Sequence, residues 1–337
     1  MKYSIILPVK NGSNHIKECI AGILSQSLPE FELIVLENDS TDNTVDIISS
    51  FGDSRIKIFP SGNALTIVQN WQRALQVQKG EFMTLIGHDD VLDKEYLRTM
   101  DELVRQHPHA SLYQTHFRYI DETGKTLRKC KPMAEVQTPP DALHNFICGK
   151  TDVMGTGFMM RSNDYDQVGG IPSYPNLLFA DLQLWIDLSR KGYMAVSPAE
   201  CFAYRQHSAA ATASSTDLKF LNAFEQFIDY LVALKESDPK LAPVITKDSS
   251  VLLKQYCQGL THRALRTPRR KRETPPLAVI IDQFRLYARK LGNTEFEPLD
   301  FKEIRIGKMV DSNPFLHAIF LAVKKIYRKP VLKGVVV

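Results

Sequence analysis

Phe82-Met83-Thr84-Leu85-Ile86-Gly87-His88-Asp89-Asp90-Val91-Leu92 runs apolar for five residues and then breaks into a glycine, a histidine and two adjacent carboxylates. A short, nearly continuous apolar run suits a strand buried on both faces of a parallel sheet. Gly80 and Gly87 bracket it, so the acids fall at its carboxyl end. In open α/β sheets the loops at that edge form the crevice where ligands bind. Paired carboxylate oxygens at such a rim suit a hard divalent cation, Mg²⁺ or Mn²⁺. An isolated Asp-Asp pair also serves as a helix cap, and Asp90 or Asp93 could cap a helix predicted over Lys94 to Gln106.

Upstream, the same unit repeats. Tyr3-Ser4-Ile5-Ile6-Leu7-Pro8-Val9 reads as a buried first strand that ends in an Asn11-Gly12-Ser13-Asn14 turn. Ile16, Ile20, Ile23 and Leu24 then share one helical face, and Pro29 closes the segment. Phe31 to Leu36 is a second strand emptying into Glu37-Asn38-Asp39-Ser40-Thr41-Asp42, Arg55 to Phe59 a third, and Thr66 to Gln78 a helix carrying Asn70-Trp71. Strand and helix alternate at βαβ spacing, which predicts an α/β fold with a mostly parallel central sheet and right-handed connections. Neither Gly-x-Gly-x-x-Gly nor Gly-x-x-x-x-Gly-Lys-[Ser/Thr] occurs, which argues against Rossmann dehydrogenases and P-loop enzymes.

Beyond the acids, Ser111 to Arg128 reads as two or three short strands, Cys130 to Pro140 as loop, and Asp141 to Cys148 as a short helix. Gly155-Thr156-Gly157 precedes an apolar strand, and Asp181 to Lys191 is a strong helix stopped by Gly192. From Ser215 onward the chain reads as helical, with Leu218, Leu221, Phe224, Phe227, Ile228 and Leu231 on one face. Arg269 to Arg272, framed by prolines, reads as an exposed basic loop.

Composition separates the two parts. The chain has 337 residues, 44% hydrophobic and 24% charged, enough for one large domain and a smaller appendage. Its net charge of +4 is unevenly placed: residues 1–215 hold 20 Lys+Arg against 25 Asp+Glu, and residues 216–337 hold 22 against 13. The domains are expected at 1–214, catalytic, and 215–337, mainly helical and basic. Cys19, Cys130, Cys148, Cys201 and Cys257 form no Cys-x-x-Cys pair and no evident disulfide framework, which fits a reducing cytoplasm. Ile5 to Val9 is too short for the apolar region of a signal peptide, and no window nears the roughly 20 apolar residues that span a bilayer.

Taken together, Ser4-Ile5-Ile6-Leu7-Pro8-Val9-Lys10-Asn11-Gly12, Leu36 to Asp42, Gly80-Glu81-Phe82 running into Asp89-Asp90, Val168-Gly169-Gly170, Ala180 to Trp185, and Tyr204-Arg205-Gln206-His207 resemble the family 2 glycosyltransferases, in order and spacing over about residues 1 to 210. The resemblance implies a GT-A fold with a helical C-terminal extension. It implies an inverting, metal-dependent transfer from a nucleotide sugar to a hydroxyl of a glycan or lipid-linked saccharide, in cell-surface polysaccharide synthesis. Carried over residue by residue, it places the donor, most often a UDP-sugar, against Pro8, Val9, Asn11, Glu37, Asn38, Asn70, Asp89 and Arg205. It gives the divalent metal, Mn or Mg, to Asp90 and His207, the acceptor floor to Gly155, Thr156 and Gly157, and the general base to Asp181. Relatives more often have two aspartates at Glu37 and Asn38, and an acid in place of Ala180. His207, followed by the small-residue loop Ser208 to Ser215, suggests a lid over the phosphates. Trp185 reads as core.

The resemblance stops before the tail. There Phe315, Ile319, Phe320, Val323, Ile326 and Tyr327 share a helical face that ends in Lys324, Lys325, Arg328 and Lys329. Such a helix suits peripheral contact with the inner face of the cell membrane, or packing on the catalytic domain. A nucleotidyltransferase is the nearest rival, but Lys10-Asn11-Gly12-Ser13 is a poor phosphate loop. A catalytically silent sugar-nucleotide-binding or scaffolding protein of the same fold is the alternative from a different class. Nucleic acid is not an expected partner, since Arg269 to Arg272 lack interleaved aromatics.

Overall fold

The computed structural model describes residues 1–207 and 216–326. The chain divides into two compact units, Met1–Ala142 with Lys150–Ala210, and Leu143–Gly149 with Ala211–Val337. Leu143–Gly149 thus belongs with the later residues.

In the first unit, β1 (Tyr3–Val9) and β2 (Phe31–Glu37) are buried along their whole length. That two-sided burial is why both read as unbroken apolar runs. They pair in parallel from Tyr3↔Phe31 to Val9↔Glu37. β3 (Ile56–Pro60) flanks β2 in parallel and is largely exposed, as an edge strand is. On the other side of β1 lies β4 (Phe82–Leu85), paired from Tyr3↔Phe82 to Ile6↔Leu85. The crossovers carry α1 (Ile16–Leu24), α2 (Thr44–Ser49) and α3 (Ile67–Gln72). Ile16, Ile20 and Ile23 of α1 are fully buried in the core beside Ile5, Leu7 and Val9. α3 is shorter than expected: Thr66 and Gln69 form a capping box, and the helix tightens into a 3-10 turn at Arg73–Leu75.

Past β4 the chain forms β5 (Val91–Leu92), α4 (Tyr96–Gln106), β6 (Leu112–Ile120), β7 (Thr126–Lys129), β8 (Val136–Gln137), α5 (Pro139–Ile147), β9 (Phe158–Arg161), α6 (Ser162–Gln167), α7 (Ala180–Lys191) and β10 (Met194–Arg205). The sheet order is β3-β2-β1-β4-β9-β6-β10-β5, with β7 on β6 and β8 on β10. Its first four strands are parallel as expected, and its second half is mixed. β9 runs antiparallel to both β4 and β6, and β10 runs parallel to β6. This arrangement brings the ends of β1, β2, β4 and β10 and the beginning of β9 to one edge. Trp185, fully buried, meets Phe158 edge-on at 5.2 Å and so belongs to the core.

The second unit is helical: α8 (Asp217–Ser237), α9 (Ala242–Arg266), α10 (Leu277–Leu291), α11 (Lys302–Ser312) and α12 (Pro314–Ile326). Phe224 stacks on Tyr256 and Phe284, with centroids 4.6 and 5.3 Å away. Of the expected α8 face, Leu218 is exposed and the other five residues are buried. Arg272 is not part of an exposed loop: it pairs with Asp311 at 2.6 Å, both side chains 7% exposed. No helix among the described residues is long and apolar enough to cross a membrane.

Candidate active site

Where β1 ends, Asn11 takes a left-handed backbone (φ 52°), and its side chain reaches the turn that follows β2. Its Oδ1 accepts from the Thr41 N–H at 2.8 Å, and its own N–H donates to Ser40 Oγ at 3.0 Å. Asp42 closes the same junction by accepting from the Ser13 N–H and from Thr44 Oγ1. Desolvation works to raise the Asp42 carboxyl, but the hydrogen bonds from Thr44 and Ser13 outweigh it and hold it down at about 2. Val9 accepts the Asn38 N–H at 3.0 Å, which fixes the two strand ends side by side. Pro8, opposite Leu36, and Val9, opposite Glu37, thus form the floor of this corner.

Glu37, Asn38 and Asn70 are buried, and their polar atoms are bonded inside the protein. Glu37 accepts from the Asp39 and Ser40 N–H groups. Asn38 grips Leu65 at both ends, accepting its N–H at 2.7 Å and donating to its carbonyl at 3.0 Å. Asn70 donates to the Leu36 carbonyl and accepts from Arg73. These three side chains hold the corner between the ends of β1 and β2.

At the end of β4 the two acids fold back over Gly87. A Cβ there would lie 2.7 Å from Asp89 Oδ1 and 3.1 Å from Asp90 Oδ2, so the approach needs a glycine. Asp90 is 1% exposed; its Oδ2 accepts from Thr156 Oγ1 at 2.5 Å and its Oδ1 from the Arg205 N–H at 2.9 Å. Burial, then repulsion from Asp89, pushes its carboxyl well above the usual range. Asp89 is half-buried and meets His207 Nε2 at 2.6 Å through its Oδ2. The histidine thus stands on Asp89, while Asp90, expected to share a metal with it, is held from behind by Thr156 and Arg205.

Arg205, expected on the donor, is occupied within the protein. Its side chain is 1% exposed, donating from Nε to the Asp89 carbonyl at 2.7 Å, from Nη1 to the Asp121 and Glu122 carbonyls, and from Nη2 to Glu18 at 2.6 Å. A guanidinium so engaged braces the loop beneath the acids.

Asp181 opens the first turn of α7 and is half-buried. Asn176, Leu177 and Phe179 just before it all have positive φ. Each such non-glycine residue costs of order 1 kcal/mol, a strain that collects at functional turns. Burial raises the Asp181 carboxyl to about 6, against the Leu182 N–H that donates to it at 2.8 Å. Gly155 faces it, since a Cβ on Gly155 would come within 3.9 Å of the Asp181 Cβ. Gly157 (φ 73°) donates to the Leu85 carbonyl at 2.8 Å, anchoring this segment to the end of β4. Asp89, Asp90, Thr156, Gly155 and Asp181 therefore form one continuous wall, and the Tyr204 phenol lies within the field of all three carboxylates.

Sequence reasoning missed His15, His88, Glu18 and Tyr204. His15 lies 6.1 Å from His207, ring to ring, and His88 packs against Gly12. Desolvation pulls both imidazoles below the usual value. His88, adjacent to the acids in the chain, and Tyr204, within the Tyr204-to-His207 motif, carried a signal that could have found them; His15 and Glu18 carried none. Ser208–Ser215, the expected lid, lies outside the described residues, as do Tyr327, Arg328 and Lys329.

Residues 4–169 match the model of the family described as Glycosyl transferase family 2. TuaG of Bacillus subtilis (strain 168), a glycosyltransferase assigned to teichuronic acid biosynthesis, is 29% identical over 205 residues, 59% of this chain and 77% of its own. The Streptococcus pneumoniae glycosyltransferase GlyG is 25% identical over 123 residues, 36% of this chain and 41% of its own. Among solved structures, S. aureus TarS residues 1–349 in complex with UDP-GlcNAc superimposes with a TM-score of 0.66 at 14% identity, covering 100% of this chain and 95% of that one. The mannosyltransferase PcManGT of Pyrobaculum calidifontis, in complex with GDP-Man and Mn²⁺, gives 0.52 at 14% identity, over 98% and 88%. The first unit sets Asp89, Asp90, Thr156, Gly155 and Asp181 along one wall, and over residues 4–169 the chain is similar to the family 2 glycosyltransferases.

Proposed function

We propose that the enzyme moves a sugar, with inversion, from a nucleoside diphosphate donor to a hydroxyl of a glycan or lipid-linked saccharide destined for a cell-surface polysaccharide. The observation that carries this reading is the continuity of Asp89, Asp90, Thr156, Gly155 and Asp181. It puts a cation-ready acidic edge and a lone basic carboxylate on the same wall.

The donor nucleotide would lie along Pro8, Val9 and Asn11, over the corner that Glu37, Asn38 and Asn70 hold rigid. Asp89 and His207 would hold a Mn²⁺ or Mg²⁺ ion, with Asp90 behind them. A carboxylate oxygen and an imidazole nitrogen that face each other at 2.6 Å would part by several tenths of an ångström to take such an ion, and two acids in mutual repulsion favour one. When bound, the ion would offset the negative charge that develops on the departing diphosphate. Asp181, ionised at neutral pH yet basic enough to accept a proton, would take it from the acceptor hydroxyl as the glycosyl bond breaks. With Asp89 and Asp90 given to the donor side, one carboxylate remains for the acceptor. That favours single displacement, and so inversion. Gly155 leaves room for the acceptor to approach the backbone.

The UDP-GlcNAc and GDP-Man complexes of TarS and PcManGT support a nucleotide-sugar donor, and the Mn²⁺ of PcManGT supports a divalent metal. TuaG supports a cell-surface polysaccharide as the product's destination. A UDP-sugar is the donor to try first. Calorimetric titration of UDP with and without Mn²⁺ tests the core of the reading. The ion should tighten binding in the native chain and have no such effect in Asp89→Ala; unchanged Mn²⁺-dependence in the variant would reject the assignment. The exposed apolar stripe of α12 favours a peripheral seat on an anionic bilayer, where a lipid-linked acceptor would be found.

A further inference from the structure

The helical unit has a cluster that glycosyl transfer does not use. His144 and Cys148 are one helical turn apart at the end of α5, where the Cys148 N–H still donates to the His144 carbonyl at 2.9 Å. Gly149 follows with φ 60° and turns the chain away. Asp248 faces them from α9, 104 residues later in sequence, and is buried. His144 Nδ1 lies 2.6 Å from Asp248 Oδ2 and 3.7 Å from Cys148 Sγ, and the three donor atoms all fall within 4.8 Å of one another.

We propose that His144, Cys148 and Asp248 bind a thiophilic divalent cation, Zn²⁺ foremost, separate from the sugar-nucleotide site. Bond lengths decide the fit. With Zn–N near ~2.05 Å, Zn–S near ~2.3 Å and Zn–O near ~2.1 Å, a tetrahedral ion separates N from S by about 3.6 Å and N from O by about 3.4 Å. The Sγ to Nδ1 distance already matches. The carboxylate has only to withdraw by several tenths of an ångström, a side-chain rotation, as the ion takes the place of the proton between Nδ1 and Oδ2. Thiolate and imidazole select a borderline-soft metal, whereas Asp89 sets a carboxylate beside His207 and suits Mn²⁺ or Mg²⁺. His144 is about one-third exposed, which gives an ion access and leaves the fourth position to water. Three protein ligands with one open position is a recurrent zinc geometry. Bound there, the ion would clip Leu143–Gly149 to α9, a cross-link that closes a long loop and stabilises the folded unit.

Cobalt(II) reads this out, because a thiolate ligand gives a sulfur-to-cobalt charge-transfer band that carboxylates and imidazoles do not. The full-length chain, stripped with chelator and titrated with Co²⁺, should develop that band to one equivalent and lose it on addition of Zn²⁺. Cys148→Ser, which keeps size and shape, should abolish the band while retaining the native far-ultraviolet circular dichroism. Asp248→Asn should keep the thiolate and weaken Zn²⁺ binding by more than the ~10–100-fold typical of an outer-shell partner, measured against a chromophoric chelator. Absence of a thiolate band in the native chain, or a band that survives Cys148→Ser and so belongs to another cysteine, overturns the proposal. Asp89→Ala should leave the band intact, which separates this site from the donor site.

Discussion

Asp181 has a carboxyl that burial raises from 3.8 to about 6, and the sign of that shift has two consequences. An acid whose folded pKa lies above its unfolded one contributes stability that is fully present below about 3.8 and lost as pH rises through about 6. Above that pH the charged side chain destabilises the fold by on the order of 3 kcal/mol, at ~1.4 kcal/mol per pKa unit. Asp181→Asn should therefore raise the melting temperature at pH 8 relative to the native enzyme, and the gain should vanish near pH 4. The same change should lower turnover by about 10²- to 10⁴-fold, the usual worth of a general base, with donor affinity retained. In the native enzyme the rate should fall as pH drops below about 6, with that limb missing from the residual activity of the variant. Transfer at the native rate by Asp181→Asn would remove the base assignment. Single residues were legible in type and position where a motif gave both, as for Asp181, Asp89 and Asp90, whose roles are those proposed above. Arg205 was not, because Tyr204-Arg205-Gln206-His207 says nothing of which way the guanidinium turns, and three backbone carbonyls and Glu18 claim it. His207 was legible as a motif residue but its contact with Asp89 was not, since adjacent carboxylates on one turn point in different directions.

Elements with clean periodicity were read to within two or three residues: β1, β2, β4, α1 and α7 all stand where apolar pattern and glycine or proline stops put them. β10 escaped, and the register explains why. Its pairing with β6 slips between Ser197 and Glu200 and again between Glu200 and Phe202, and a strand interrupted by bulges loses the two-residue alternation that marks it. The antiparallel insertion of β9 between β4 and β6 was equally hidden, because pairing partners are set by tertiary topology and leave no local trace. That insertion is what carries Gly155-Thr156-Gly157 to the acids, and Gly157 bears the load of the turn. At φ 73° an L side chain is strained, and a Cβ would sit 2.5 Å from the buried Phe202 ring. Gly157→Ala should cost about 2–4 kcal/mol from overpacking and backbone strain together, read as a shift of the urea midpoint. By moving Thr156 it should also loosen the hydrogen bond on Asp90, so transfer should fall by more than the lost folded fraction explains. A variant as stable as the native protein would mean the turn accepts a side chain and positions nothing.

For the whole molecule, the charge asymmetry was readable from composition alone, and its meaning depends on which apolar surface accompanies it. The basic surplus of residues 216–337 shares its unit with α12, whose Phe315, Ile319 and Val323 are 72%, 45% and 54% exposed and recur at four-residue steps on one face, while His317 is turned inward to the Leu265 carbonyl. On the proposed membrane reading, this stripe is the face that would enter the interface. Lys324 and Lys325 follow at the end of the stripe. Each basic residue near an anionic leaflet contributes about 1 kcal/mol, and each of three large apolar side chains up to ~1.5–3 kcal/mol if fully buried, so partial immersion is enough for reversible attachment. The electrostatic share must fade with salt, since the screening length shrinks from ~10 Å at 0.1 M to ~3 Å at 1 M, while the apolar share persists. Flotation with vesicles rich in phosphatidylserine should therefore carry the native chain upward at low salt and less of it at 1 M. Phe315→Ser with Ile319→Ser and Val323→Ser should stay at the bottom of the gradient at both salts. The pair Lys324→Glu and Lys325→Glu should lose binding mainly at low salt, where the leaflet charge is felt. Equal recovery of the native chain and the triple serine variant would end the membrane reading, leaving the stripe as a face for another protein.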